Sequence, residues 1–125
     1  MKLPLHEHLH CISSQLVVTD LDRSTQFYTK RLGFELNFQH ADVYAGLGAG
    51  PYSIYLKRGD SATPPPDTSD HVNVVIGVTD LDACYAAILS EVVDIVEPLR
   101  EMPYGREFYI KDPDGYRIAF YDVTH

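Results

Sequence analysis

Val18-Thr19-Asp20-Leu21-Asp22 returns unchanged 60 positions later, as Val78-Thr79-Asp80-Leu81-Asp82. That spacing is about half of the 125 residues in the chain. Two copies are too few for a solenoid, which stacks three or more. The repeat therefore points to one domain made from two copies of one supersecondary unit, with a cleft between them. Ile12 to Val18 reads as a strand leading into the first copy. Asp20 is placed to cap a helix, and Asp22 lies in the first turn, where the helix dipole favours an acid. The helix should run to about Leu32, with Leu21, Tyr28 and Leu32 on one face and Phe27 beside them. Gly33 can close it in the left-handed conformation.

Three short strands should follow, Phe34 to Phe38, Asp42 to Leu47 and Tyr52 to Lys57, with Gly48, Gly50 and Pro51 marking the last turn. Residues 59–69, rich in Pro, Ser, Thr and Asp, have linker composition. The second copy then repeats the order. His71 to Val78 reads as a strand, and Asp80 caps a helix carrying Leu81, Cys84, Tyr85, Ile88 and Leu89 at helical spacing. Val92 to Val96 is a further strand, and Arg106 to Lys111 and Tyr116 to Asp122 form a hairpin around Asp112-Pro113-Asp114-Gly115. The expected fold is α+β: two βαβββ modules, 12–58 and 70–123, in a single domain spanning 1–125. They should form mixed, curved sheets around a cleft, with the helices outside.

Composition narrows the function. A formal net charge of −8 argues against nucleic acid, whose phosphates need a basic face. It would favour a cationic ligand. No apolar run approaches the roughly 18 residues of a membrane span, and the N-terminus has no signal-peptide core. Cys11 and Cys84 do not make a disulfide framework, so a reducing cytoplasm is the expected location. Neither a nucleophile elbow nor a phosphate-binding Gly-Lys-Ser/Thr loop is present.

The run Val18 to Ser24, then Phe27-Tyr28 and Leu32-Gly33-Phe34-Glu35, resembles the vicinal-oxygen-chelate superfamily of glyoxalase I, bleomycin-resistance proteins and extradiol dioxygenases. So do Tyr104-Gly105-Arg106-Glu107-Phe108, Asp112-Pro113-Asp114-Gly115 and Ile118. The resemblance covers nearly everything from Ile12 to Asp122. The Gly-Arg-Glu-Phe segment looks most like the bleomycin-resistance branch. It implies the glyoxalase/bleomycin-resistance fold and a homodimer, across which the N-terminal arm could swap. Enzymes of the superfamily bind a divalent metal through His, Gln or Glu on the first and last strands of each module. The matching positions here are Ser13, Tyr55, Asn73 and Ala119. None is a usual metal ligand, so no metal and no other cofactor is expected.

Histidines offer the alternative. His71 lies two residues before Asn73, on the same strand face, and His6, His8 and His10 would project to one side of an extended arm. On that reading the chain is a metal-dependent lyase, isomerase or dioxygenase. The favoured reading is a binding protein without catalysis, sequestering an aromatic or cationic small molecule. Pairing Asp112 with Tyr116 puts Tyr109 opposite Ala119 and Glu107 opposite Tyr121. Glu107, Tyr109, Arg117, Ala119 and Tyr121 then share a face expected to be a wet cleft wall. Phe108, Ile110, Ile118 and Phe120 take the opposite, core face. The expected ligand-binding set is Ser13, Gln15, Tyr55, Asn73, Glu107, Tyr109, Arg117 and Tyr121. The tyrosines would stack, Glu107 would pair with a cation, and Gln15 and Asn73 would orient the ligand.

Overall fold

The computed structural model describes residues 4–66 and 69–123. Eight strands, β1 (Ser14–Val18), β2 (Glu35–His40), β3 (Tyr44–Ala49), β4 (Tyr52–Arg58), β5 (Val74–Val78), β6 (Asp94–Met102), β7 (Gly105–Lys111) and β8 (Arg117–Asp122), form two four-stranded sheets. Their orders are β1-β4-β3-β2 and β5-β8-β7-β6, so each module builds one sheet with the same topology. In each, the first strand pairs in parallel with the last and the other pairs are antiparallel. The fold is the mixed α+β arrangement that the repeat predicts. No helix among the described residues is long and apolar enough to cross a membrane.

The repeated pentapeptide does the same work twice. Asp20 accepts from the Arg23 backbone N–H at 3.0 Å and starts α1 (Leu21–Gln26), while Asp80 accepts from the Ala83 N–H at 3.0 Å and starts α2 (Leu81–Leu89). Each bond satisfies one of the orphan donors of a helix N-terminus. After Gln26 the first helix continues as a π-helical turn, Phe27–Arg31, which inserts an extra residue per turn and seats Tyr28 in the core. Gly33 then reverses the chain at φ +83°. Helix α1 packs on β3 and β4, and α2 packs on β7 and β8. Leu16, Val18, Leu47, Ile54, Phe108, Ile110 and Ile118 join Leu21, Tyr28, Leu81 and Ile88 in one core shared by both modules.

Several boundaries differ from expectation. The strand at Val92 to Val96 is instead β6, running to Met102 through Pro98 with two register shifts. A proline lacks an N–H and is tolerated there because β6 is an edge strand. Strand β5 starts at Val74 rather than His71. Just before it the Asn73 N–H donates to the Arg117 carbonyl at 2.8 Å, and the Asn73 side-chain oxygen accepts from the Arg117 N–H at 3.0 Å. The ladder thus ends on a side chain. Pro4–Glu7 forms a 3₁₀ turn, so His6 is not part of an extended strand shared with His8 and His10.

The hairpin turn Asp112-Pro113-Asp114-Gly115 couples the modules. Asp112 accepts from the Tyr28 hydroxyl at 2.7 Å and from the backbone N–H groups of Asp114 and Tyr116. Asp114 accepts from the Thr19 hydroxyl at 2.7 Å, from Arg23 at 3.1 Å and from the Ser24 hydroxyl at 3.2 Å. Tyr116 donates its hydroxyl to the Val17 carbonyl at 2.6 Å. Burial pushes the Tyr28 phenol well above its ordinary pKa, and the neighbouring Asp112 carboxylate adds to the shift. Burial likewise raises the Asp112 carboxyl, against the pull of its three hydrogen bonds.

Candidate functional site: two unlike sheet faces

The helix-free faces of the two sheets differ. Strand alternation sends Leu16, Val18, Ile54 and Leu56 of the first module to the core. It leaves Gln15, Val17, Tyr55 and Lys57 on the outer face. Register places Gly46 opposite Tyr55, Tyr44 opposite Lys57, Phe38 opposite Gly46 and His40 opposite Tyr44. Tyr44 and Tyr55 stack with centroids 5.8 Å apart at 21°, and the Phe38 ring lies 5.9 Å from Tyr44, 6.1 Å from Tyr55 and 5.6 Å from His40. Gly46 makes this platform possible. A Cβ there would sit 2.2 to 2.8 Å from the Phe38 ring, so only glycine leaves room for that ring over β3. The Tyr44 hydroxyl donates to the Gln15 side-chain oxygen at 3.1 Å. Phe38 remains 39% exposed, and His40, Lys57 and Gln15 are exposed as well.

The second module fills its own face. The hairpin register is as the sequence predicts, with Glu107 opposite Tyr121 and Tyr109 opposite Ala119. The expectation of a wet wall is corrected, however: Glu107, Tyr109, Arg117 and Ala119 are all buried, and of the five only Tyr121 is exposed. Arg100, opposite Glu107 on β6, donates to its carboxylate at 2.7 and 3.0 Å, and the Tyr104 hydroxyl donates to the other oxygen at 2.8 Å. Tyr109 lies between two guanidinium groups, with Arg100 5.1 Å and Arg117 5.4 Å from its ring centroid. Such cation–π contacts strengthen as water is excluded. Arg117 also donates to the carbonyls of Pro66 and Ser69, so the segment between the modules covers this face. The bond to Glu107 pushes the Tyr104 phenol up to about 12, and burial, followed by the Glu107 charge, raises that of Tyr109. Glu107 is therefore fully engaged and is not presented to a ligand cation.

A groove of about 1140 Å³ runs between β5 and the segment 10–14 leading into β1, with the β3–β4 turn beside it. It is lined in part by Ser13, Tyr52, Asn73, Cys84 and Tyr121. The eight expected residues thus separate into three places rather than one cleft. Gln15 and Tyr55 belong to the ring platform, while Ser13, Asn73 and Tyr121 line the groove. Glu107, Tyr109 and Arg117 form the buried network. Phe38, His40 and Tyr44 escaped the sequence reading, although Gly46 inside a strand signals a close approach of a neighbouring side chain.

The positions matching the superfamily's metal ligands do not suit a divalent ion. The Ser13 hydroxyl is bonded to that of Ser53 at 2.5 Å, Asn73 completes the β5–β8 ladder, and Tyr55 and Ala119 offer neither imidazole nor carboxylate. His71 is exposed, outside any strand, with its backbone N–H held by the Ser69 hydroxyl. Among the described residues no three His, Cys, Asp or Glu side chains converge. This donor set does not fit the metal of the superfamily's enzymes.

The family profile of the Glyoxalase/Bleomycin resistance protein/Dioxygenase superfamily matches residues 8–120. Among solved structures, the chain is similar to the bleomycin-binding protein of bleomycin-producing Streptomyces verticillus, complexed with copper(II)-bleomycin. Identity is 25%, covering 91% of this chain and 96% of that one, with a TM-score of 0.73. TnmS3, an antibiotic-binding protein from Streptomyces sp. CB03234, is 22% identical over 91% of this chain and 95% of its own, with a TM-score of 0.72. A lactoylglutathione lyase from Agrobacterium tumefaciens shares the fold at 16% identity, over 92% of this chain and 94% of its own, with a TM-score of 0.73. No curated protein matches the chain significantly.

Proposed function

This chain belongs to the glyoxalase/bleomycin resistance protein/dioxygenase superfamily, and we propose that within it the chain is a cytoplasmic binding protein that holds an aromatic small molecule without catalysis. The observation that carries the proposal is the ring platform. Three aromatic side chains lie together on an open sheet face, with glycine beneath one of them. An exposed cluster of this kind costs solvation unless something planar covers it, and offset ring contacts add about 0.5–1.5 kcal/mol beyond area burial. Tyr55 and Tyr44 stack the ligand and Gln15 orients it. Ser13, Asn73 and Tyr121 border the adjoining groove, and Glu107, Tyr109 and Arg117 stiffen the second module. The likeness to a bleomycin-binding protein and to an antibiotic-binding protein supports this class of ligand. The unsuitable donor set at the metal positions supports binding over catalysis. A homodimer, in which a second copy closes over the open face, belongs to the same proposal.

Isothermal titration with 2-naphthoate, 2-naphthylmethylammonium and bleomycin tests it. At least one should bind saturably, and Tyr55→Ala should weaken that binding by about tenfold, roughly 1.4 kcal/mol. Unchanged affinity in Tyr55→Ala, or no binding by any probe, would overturn the assignment.

A further inference from the structure

Polarity around the ring platform names the ligand more closely. Lys57 stands opposite Tyr44 and two residues from Tyr55, so alternation sends its ammonium to the platform side. It is exposed, and among the described residues no carboxylate pairs with it. His40, opposite Tyr44 on the other side, borders the same end. The Gln15 oxygen is taken up by the Tyr44 hydroxyl, which leaves the Gln15 amide N–H groups as its outward polar atoms. Lys57 and the Gln15 amide therefore present donors at this end of the platform, and His40 can add one from its ring.

The acid nearest this end, Asp42 in the turn between β2 and β3, is paired with Arg58. Glu35 falls at the far end of the face, opposite Gly48, and Glu107 is saturated by Arg100 and Tyr104. The net charge of −8 opposes anions at long range. At physiological salt, however, exposed charges are screened beyond roughly 8 Å, so the nearby donors decide.

We infer that the ligand is a planar aromatic anion, a ring carboxylate or phenolate, lying on Phe38, Tyr44 and Tyr55 with its charge at Lys57. The inference rests on the platform being the binding face and adds the sign of the ligand's charge. It replaces the cationic ligand that the acidic composition alone would favour.

Probes with one ring system and different charges test it: 2-naphthoate, 2-naphthylmethylammonium and 2-naphthalenemethanol, titrated at 150 mM salt. In the unaltered protein naphthoate should bind about fivefold more tightly than the ammonium, the size expected of one exposed ion pair. Lys57→Met should bring the three probes together, and Lys57→Glu should reverse their order. Because Lys57 is exposed, both variants should fold, which circular dichroism checks. If all three probes bind equally, or if Lys57→Glu leaves their order unchanged, the charge assignment fails while the platform reading stands. If none binds, the platform reading fails and takes this inference with it.

Discussion

Two copies of one unit finish their outer faces in opposite ways. In the first module the pair at the centre of the face is Gly46 opposite Tyr55, small on the third strand and large on the fourth. In the second, the pair at the corresponding place is Tyr109 opposite Ala119, the reverse. Glycine in the first module makes room for the Phe38 ring, and the three rings stay partly exposed. Arginines on both sides of Tyr109 in the second module, with Glu107 and the intervening segment, exclude water. Both modules keep the same strand order and pairing, with core-facing alternates and aspartate helix caps used alike. The outer alternates carry no such constraint, and they are where the copies diverge into an open face and a sealed one.

Truncating the central tyrosine of each module would break or sharpen this contrast most strongly. Tyr109→Ala removes a buried ring clamped by two guanidinium groups and should cost about 3 kcal/mol in urea unfolding. Tyr55→Ala removes a half-exposed ring and should cost under about 1 kcal/mol. Equal costs would mean that the two faces are structurally alike. A smaller effect is expected at the glycine. Gly46→Ala should lift the Phe38 ring and lower affinity for 2-naphthoate about threefold, on the order of 0.6 kcal/mol. In a Phe38→Ala background the same substitution should do nothing further. An effect that persists there would show that Gly46 does not act through Phe38.

Much of the fold was legible because its signals are local. The two aspartate caps, the left-handed Gly33 and the hairpin register from Glu107 to Tyr121 follow from neighbours a few residues away. What the sequence hid depends on distant partners. Asp112 and Asp114 read as turn residues, yet they receive hydrogen bonds from Thr19, Arg23, Ser24 and Tyr28 some 90 positions earlier. Alternation correctly put Glu107, Tyr109 and Arg117 on one face. It could not tell that Arg100 and the Pro66 and Ser69 carbonyls would close over them. The ring platform was half visible: Tyr55 was found, but Tyr44 and Phe38 depend on a β2–β3 register with a shift between Leu36 and Phe38. No local periodicity announces such a shift.

The claim that the first module's face binds and the second's supports can be tested in a single titration. The protein is labelled with 3-fluorotyrosine, its fluorine resonances are assigned by Tyr→Phe variants, and 2-naphthoate is added. The Tyr44 and Tyr55 signals should move saturably with one dissociation constant while the Tyr109 signal stays in place. Movement of Tyr109 with Tyr44 and Tyr55 unmoved would contradict the account and shift the binding face to the second module.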